Sequence, residues 1–244
     1  MSGSGPASES FVFRPVGFIK TAFREKFGIP RQSGLVEEAL GRLELVAPYD
    51  RPEAFRHLER FSHVWLLWVA HKATGDPSSL MVRPPRLGGN RRVGVFASRS
   101  PFRPNAIGLS AVRLLAVEAD AVPPALKLAG VDLLDGTPIL DIKPYLAYSD
   151  AIPDAEGGFA PFAPAKALTV SFSAAAEAFL SEYPEGERLR TLVEHLLELD
   201  PRPAYREARG GAYAFRLEDV DVRWRVYGSG VEVTEFSRVA GDAT

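Results

Sequence analysis

A basic segment is the clearest chemical feature of the sequence. Residues 82–105, here called the arginine segment, carry six arginines and no acidic residue, although the formal net charge of the chain is −2. The nearest carboxylates along the chain are those of Asp76 and Glu118. Guanidinium groups form bidentate hydrogen bonds with phosphates and carboxylates, and the prolines and glycines of the segment hold them at low entropic cost. The arginines are Arg83, Arg86, Arg91, Arg92, Arg99 and Arg103.

An anionic partner outside this chain is the natural ligand for so many arginines, and a nucleic acid backbone is such a partner. The alternative is a solvated loop whose charges keep the protein in solution. We favour that alternative for Arg91 and Arg92 taken singly. It explains the whole segment poorly, because a solubility loop does not need the stiffness of RPPRLGGN.

The four histidines do not have the spacing of a metal site. His63 and His71 would share one face of a strand, about 26 Å apart at roughly 3.3 Å per residue, which is too far for a shared ion. The chain has no cysteine, which excludes disulfides, thiolate nucleophiles and cysteine zinc sites. We therefore predict no metal. His71 is the best candidate of the four for a role in a site, because it ends an apolar strand next to Lys72 and the ends of strands line the binding sites of barrels.

Familiar nucleotide and hydrolase motifs are absent from the sequence. No G-x-G-x-x-G follows a strand, and there is no P-loop and no G-x-S-x-G. The longest apolar run, 64–70, is too short to span a bilayer. The polar N-terminus, MSGSGPASES, predicts a disordered tail over residues 1–10 and no signal peptide. With 46% hydrophobic and 25% charged residues, the composition is that of an ordinary globular protein, and we expect a cytoplasmic one.

Short apolar runs separated by Gly and Pro predict a mainly β N-terminal domain, a barrel or a sandwich, up to about residue 148. Strands are expected in 11–19, interrupted by Pro15, and in 63–72, 93–98, 107–119 and 126–134. Residues 51–61 have apolar residues at helical spacing. Asp135-Gly136 lies between apolar runs and predicts a hairpin turn.

Residues 150–166, rich in Pro, Gly and Ala, predict a linker to a small α+β C-terminal domain. Beyond them we expect a strand at 168–173, a helix capped by Ser173, a second helix with leucines at helical spacing, and a hairpin around 228–230. The proposed boundaries are 1–10 for the tail, 11–149 for the barrel domain, 150–166 for the linker and 167–239 for the C-terminal domain. The tryptophans, including Trp68 and Trp224, are expected in the core.

Several long motifs resemble one family, the TrmO tRNA methyltransferases, also called TsaA-like or YaeB-like. In order they are KFGIPRQ, FSHVWLLWVAHK, the whole arginine segment with AIGLS, DLLDGTPILDIKPY and DPRPAYR. The similarity runs from about residue 11 to about residue 236, and DPRPAYR is typical of the bacterial two-domain form. The resemblance implies a single-sheeted β-barrel followed by a small C-terminal domain, a homodimer, and the cofactor S-adenosylmethionine. The implied reaction methylates the exocyclic N6 of threonylcarbamoyl-adenosine, next to the anticodon of threonine tRNAs.

The resemblance also implies the cofactor-binding residues. Gln32 suits the adenine edge, Arg31 or Arg99 suits the methionine carboxylate, and backbone groups of residues 133–136 suit the adenine or ribose. The full set is Pro30, Arg31, Gln32, His71, Lys72, Arg99, Leu109, Leu133, Leu134, Asp135 and Gly136.

The chemistry also needs a proton acceptor and cations for the substrate. The acceptor nitrogen belongs to a urea-like group and must lose its proton as the methyl arrives. Asp135 is the first candidate base, although a turn residue is its more ordinary role. Further candidates are Asp132, Asp141 and Tyr145. For the threonyl carboxylate of the substrate we expect Arg86, Arg92 or Arg103.

The DPRPAYR motif has two equally supported interpretations. Arg202 and Arg206 are placed to contact the tRNA backbone, or the motif is a proline-stiffened turn that joins a helix to a strand. Two other functions also stay open for the whole chain: a non-catalytic RNA-binding barrel, and a methyltransferase that acts on a small molecule. The cofactor motifs weigh against the first, and the arginine segment weighs against the second.

Overall fold

The computed structural model describes residues 10–76, 78–88, 90–202 and 211–239. Its first eight strands are β1 (Gly17–Thr21), β2 (Gly41–Leu45), β3 (His63–Val69), β4 (Met81–Val82), β5 (Val93–Gly94), β6 (Ile107–Glu118), β7 (Ala125–Ala129) and β8 (Thr137–Pro144). Six of them close into a barrel in the order β1-β2-β7-β6-β3-β8, and all neighbours are antiparallel. The predicted barrel is therefore confirmed.

The barrel closes because its strands alternate between apolar and polar residues. In β2, Leu43 and Leu45 are buried while Arg42 and Glu44 point outward and form ion pairs. Burying one large aliphatic side chain stabilises a fold by roughly 1.5–3 kcal/mol, so the inward set holds the barrel together. The fully buried members of this core are Ile19, Leu43, Val64, Leu66, Leu126, Leu128, Val131 and Ile139.

Strand direction brings three long connections to one end of the barrel. Because neighbours are antiparallel, the ends of β1, β3 and β7 lie at the same end as the starts of β2, β6 and β8. The connections there are residues 22–40, 70–106 and 130–136. We call this the site end, and we call residues 22–40 the PRQ loop.

The C-terminal unit is a four-stranded sheet covered by two helices. Its elements, after the short α1 (Ala147–Asp150), are β9 (Thr169–Phe172), α2 (Ala174–Glu182), α3 (Gly186–Glu198), β10 (Gly211–Leu217), β11 (Val220–Tyr227) and β12 (Gly230–Arg238). The sheet order is β10-β11-β12-β9, with β9 parallel to β12. The hydroxyl of Ser173 accepts a hydrogen bond from the backbone N–H of Ala176, as its predicted capping role requires. Residues 151–168, before β9, contain neither helix nor strand.

The two units share a core at one place. Ala22, Phe23, Val36 and Ala39 of the PRQ loop are at most 6% exposed, and they pack in the same cluster as Trp224 of β11. The predicted core position of Trp224 is thereby confirmed. Four side chains of the loop that follows β1 are thus buried together with the core of the C-terminal unit.

Four local predictions were wrong, and one of them is the strand expected at 126–134, which ends at Ala129. Asp135-Gly136 forms a turn but no hairpin, because β8 pairs with β1 and β3 and not with β7. Residues 51–61 form two short 3₁₀ segments, Pro52–Phe55 and Leu58–Arg60, separated by His57 at a positive φ of 71°. The strand expected at 93–98 stops at Gly94.

The N-terminal strand begins only at Gly17, after the interruption at Pro15. Residues 1–9 of the expected tail lie outside the described residues. None of the helices in the described chain combines the length and apolarity needed to cross a membrane.

Candidate functional site

The site end gathers the expected cofactor-binding residues from three distant stretches of the chain. Residues 30–32 lie in the PRQ loop, and His71, Lys72 and Arg99 lie in the β3–β6 connection. Residues 133–136 form most of the β7–β8 connection, and Leu109 is the third residue of β6. The barrel topology therefore accounts for a set of residues spread over more than a hundred positions of sequence.

Two hydrogen bonds join the PRQ loop to the β3–β6 connection. Arg99 donates from Nη1 to Oε1 of Gln32 at 2.6 Å. Lys26 donates from Nζ to the carbonyl oxygen of Lys72 at 2.5 Å. Partial burial, followed by the charge of Lys72 and then that of Lys26, lowers the pKa of His71, which favours a neutral imidazole at pH 7.

The carboxylate of Asp132 lies partly buried near Ser33 and Arg99. Asp132 accepts a hydrogen bond at Oδ1 from the hydroxyl of Ser110 at 2.6 Å, and Ser110 accepts one from Nε1 of Trp68 at 3.0 Å. Burial raises the pKa of Asp132, while Ser110, the backbone of Asp132 itself and of Ser33, and the charge of Arg99 oppose that rise. Asp132 thus faces the PRQ loop and Arg99 from the end of β7.

Asp135 occupies a different environment from Asp132. Its Oδ1 accepts a hydrogen bond from the backbone N–H of Thr21 at 2.9 Å, and its Oδ2 pairs with Arg24. These contacts fix the β7–β8 turn onto β1, so the structure favours the turn role for Asp135. It lines a cleft of about 1100 Å³ between the barrel and the C-terminal unit.

The rest of the 133–136 turn is also used by the fold. Leu133 and Leu134 are buried, and their carbonyl oxygens accept hydrogen bonds from the hydroxyls of Thr21 and Thr137. The backbone N–H groups of Asp135 and Gly136 donate to carbonyls of the β1 region at 2.8 and 2.9 Å. These four backbone groups therefore form hydrogen bonds within the protein, although the sequence suggested that they bind adenine or ribose.

Arg31 points away from Arg99 and toward the C-terminal unit. Its Nη2 donates to the carbonyl oxygens of Asp200 and Arg202, at 3.0 Å each. Arg202 itself is 3% exposed and forms a two-point ion pair with Asp200 at 2.8 and 2.7 Å. The structured-turn interpretation of DPRPAYR therefore fits Arg202 better than a contact with tRNA does, and Arg206 lies outside the described residues.

The arginines of the arginine segment form no ion pair in the described part of the chain, although the charge of Arg99 acts on the carboxylate of Asp132. Its core is the loop between the two-residue strands β4 and β5, which pair with each other. Arg86 donates to the carbonyl oxygen of Phe162 at 2.7 Å, and Arg103 donates to that of Ser98 at 3.2 Å. Arg92 is exposed. Of the ion pairs between described residues, none involves any of the six arginines.

The structure favours a different order among the candidate bases and adds a residue that the sequence did not single out. Asp132 stood behind Asp135 as a candidate base, and Ser110 was not considered. The signal in the sequence was a serine within the apolar run of β6. In the structure Ser110 is 1% exposed. The other candidates lie elsewhere: Asp141 pairs with Lys143, and Tyr145 packs against His63 at the start of β3. Among the described residues, no three His, Asp or Glu side chains are grouped closely enough to hold a metal ion.

Comparison with known proteins gives matches over nearly the whole chain. A model of the tRNA-methyltransferase O N-terminal domain matches residues 18–151, and one of the TrmO C-terminal domain matches residues 165–239. The tRNA (adenine(37)-N6)-methyltransferase of Escherichia coli K12 is 48% identical over 230 residues, which are 92% of this chain and 97% of that protein. A putative S-adenosylmethionine-dependent methyltransferase of Pseudomonas aeruginosa, RcsF, is 51% identical over 215 residues, covering 86% of this chain and 90% of the other.

Solved structures agree with the sequence matches. A crystal structure of TrmO from P. aeruginosa superposes with a TM-score of 0.78 at 39% identity, covering 96% of this chain and 100% of that one. A second TrmO crystal structure gives a TM-score of 0.77 at 41% identity, covering 94% of this chain and 100% of the other. Both domains, their order and their fold are thus shared, and the chain belongs to the TrmO family of tRNA methyltransferases.

Proposed function

We propose that this chain is an S-adenosylmethionine-dependent methyltransferase that acts on N6 of threonylcarbamoyl-adenosine at position 37 of threonine tRNAs. The family membership supports the reaction class, and relatives are named for S-adenosylmethionine and for adenine 37. The observation that supports RNA binding is the arginine segment, because none of its six arginines forms an ion pair among the described residues and the segment lies in a connection at the site end.

The chemistry of the site end fits the cofactor. S-Adenosylmethionine presents an adenine edge, ribose hydroxyls, a carboxylate and a cationic sulfonium. Gln32 offers an amide for the adenine, Arg99 offers a guanidinium for the carboxylate, and His71 offers a neutral imidazole. Because Gln32 and Arg99 now bond each other, both groups already lie within reach of one ligand. When bound, the cofactor supplies an electrophilic methyl group and leaves as a neutral thioether.

Asp132 is the proton acceptor in this proposal. The N6–H proton passes to its carboxylate as the N6–carbon bond forms and the carbon–sulfur bond breaks, and the proton then leaves to solvent. Its raised pKa makes it a stronger base than an exposed aspartate. The hydroxyl of Ser110 donates to Oδ1 and helps to hold the carboxylate in place. Asp135 is not assigned this role, because Thr21 and Arg24 hold both of its oxygens.

The arginines bind the substrate. Arg92 is exposed and suits the threonyl carboxylate or a phosphate, and Arg86 and Arg103 lie in the same connection of the barrel. Contacts with phosphate position the tRNA without reading its sequence. The selectivity for threonine tRNAs therefore rests on the modified base and on the anticodon loop around it.

A homodimer, working in the cytoplasm, is part of the proposal. Apolar side chains of β6 face outward from the barrel, with Ile107, Leu109 and Leu115 43%, 52% and 49% exposed. Arg113 separates Leu115 from the other two, and the exposed apolar pair Ile107 and Leu109 suits contact with a second copy of the chain.

The test is methyl transfer to defined tRNA. The purified protein is incubated with labelled S-adenosylmethionine and tRNA from cells that lack the homologous gene, and nucleosides are separated by mass. We expect a methylated threonylcarbamoyl-adenosine, and no product from tRNA that lacks the threonylcarbamoyl group. Methylation of unmodified adenosine would refute the substrate. Salt-sensitive tRNA binding without methylation or cofactor binding would favour the RNA-binding barrel instead.

A further inference from the structure

The PRQ loop is anchored to the C-terminal unit by side chains along its length. Phe27 stacks on Trp224, with ring centroids 6.4 Å apart and planes at 14°. Gly28 has a φ of +92°, and a Cβ there would lie 3.2 Å from the ring of Phe215. Pro30 is buried two residues later. The middle of the loop therefore packs against β10 and β11, not against the barrel.

Backbone and charged contacts fix both ends of the same loop. At its start, the carbonyl oxygen of Ala22 accepts a hydrogen bond from the backbone N–H of Glu218 at 2.8 Å, and the side chain of Glu25 accepts one from the backbone N–H of Arg216 at 3.0 Å. At its far end, Glu38 contacts Nδ1 of His195 on α3 at 2.6 Å. The C-terminal unit thus restrains the loop before and after the PRQ residues.

Arg31 is the link between these restraints and the site. It donates to two carbonyl oxygens of the Asp200–Arg202 turn, and the next residue, Gln32, bonds Arg99. The turn is stiff because Asp200 and Arg202 form a buried ion pair, with side chains 11% and 4% exposed. Arg31 is therefore tied to an ion pair of the C-terminal unit, whereas the backbone N–H of Gly34 bonds the carbonyl oxygen of Gly130 in the barrel at 2.9 Å. Gln32 lies between these two attachments.

We propose that the C-terminal unit preorganises the cofactor site, with Asp200 and Arg202 acting through Arg31 as positioning residues for Gln32. The idea rests on the proposed function, because it assigns a consequence to S-adenosylmethionine binding. A loop held in its binding conformation loses little freedom when the ligand arrives, so affinity is gained without a direct contact. The C-terminal unit would then contribute to cofactor binding, in addition to any contact that it makes with tRNA.

The first test variant is Asp200→Asn in the full chain. Asp200 has a φ of +46°, a conformation that asparagine adopts readily, so the turn is preserved while the ion pair with Arg202 is lost. We expect the Kd for S-adenosylmethionine, measured by calorimetry without tRNA, to rise about tenfold. A tenfold rise in Kd is expected when the loop populates its cofactor-binding conformation about one tenth as often as in the wild type.

The matched control is Glu235→Gln, which removes an acid of the same unit from an exposed pair with Arg223. This variant is expected to bind the cofactor like the wild type. A second test variant, His195→Gln, loosens the far end of the loop at Glu38 and is expected to raise the Kd by a smaller factor. Hydrogen exchange should increase in the PRQ loop of both test variants, with no increase in the barrel strands.

The outcomes separate the two proposals. If the wild type binds the cofactor and Asp200→Asn binds it equally well, the inference is wrong and the proposed function stands. Weaker binding with exchange increased throughout the barrel would reflect general destabilisation and would also overturn it. If the wild-type chain binds no S-adenosylmethionine, the proposed function fails and this inference fails with it.

Discussion

Two aspartates three residues apart provide the sharpest test of the site. Asp132 and Asp135 both lie in the β7–β8 connection, yet one faces Ser110 and Arg99 while the other is held by Thr21 and Arg24. The same change, aspartate to asparagine, keeps the size of each side chain and removes its charge. We expect Asp132→Asn to lose activity without losing stability, and Asp135→Asn to lose stability.

The expected magnitudes differ because the environments differ. A general base contributes about 10²–10⁴-fold, so Asp132→Asn should lower kcat by that factor, equivalent to about 3–5 kcal/mol. Asp135→Asn weakens a charge-assisted pair between side chains 24% and 46% exposed. After discounting for solvent, that loss is about 1–2 kcal/mol, or roughly 2–8 °C in Tm for a chain of this size.

The pH dependence has a definite sign. Burial raises the folded-state pKa of Asp132 above its unfolded value, so ionisation of this group opposes folding. Its stabilising contribution is complete below the unfolded pKa and is lost as pH rises through the folded pKa. Asp132→Asn should therefore equal the wild type in acid and be more stable at neutral pH. Activity of the wild type should rise with pH across the same window, and the variant should lack that rise.

The assay combines single-turnover methylation of tRNA over a pH series with thermal unfolding and cofactor calorimetry. Both variants should retain cofactor binding, which separates a chemical defect from a binding defect. The reasoning is refuted if Asp135→Asn abolishes kcat with an unchanged Tm, or if Asp132→Asn methylates at the wild-type rate with the wild-type pH profile.

Three further changes test other parts of the structure. Gly108→Ala would place a Cβ 2.1 Å from the indole of Trp68, so the free energy of unfolding in urea should fall by about 1–3 kcal/mol and kcat should fall as well. A variant with wild-type stability would contradict this packing. Arg92→Ala should weaken tRNA binding and reduce the slope of log K against log salt by about one, whereas an unchanged slope would remove Arg92 from the interface. Ile107→Asp on the outer face of β6 should convert the proposed dimer to a monomer in sedimentation experiments, and a dimer that persists would place the interface elsewhere.

The sequence predicted strands well where local alternation and burial agree. His63–Val69 and Ile107–Glu118 lie within the predicted runs, and the helix after Ser173 begins at its cap. The helical spacing at 51–61 misled because 3₁₀ segments as short as four residues also place apolar side chains on one side. The pairing of β8 was not accessible locally, because closing the barrel brings β8 to β1, more than a hundred residues earlier in the chain.

The site was only partly predictable. The pattern of charges can be read along the chain, whereas the partner of each charged side chain depends on the fold. The absence of acids between Asp76 and Glu118 is visible in the sequence, and in the structure none of the six arginines of the arginine segment forms an ion pair with a carboxylate of the described residues. Whether a given arginine faces a ligand or its own fold depends on contacts far along the chain: Arg31 finds its carbonyls 169 and 171 residues away. A motif identifies such a residue as important without saying what it holds.

The contribution of the C-terminal unit to the site is not visible in its own sequence. Its sequence shows a strand, two helices and a hairpin, with no motif that suggests cofactor chemistry. Yet the PRQ loop contributes four residues to its core, and a core residue is fixed far more firmly than a surface one because close packing penalises displacement. A barrel loop that completes another unit's core cannot move without disturbing that core. The position of Gln32 is consequently a property of both units together, and substitutions far from the cofactor, at Asp200 or His195, should register as changes in its affinity.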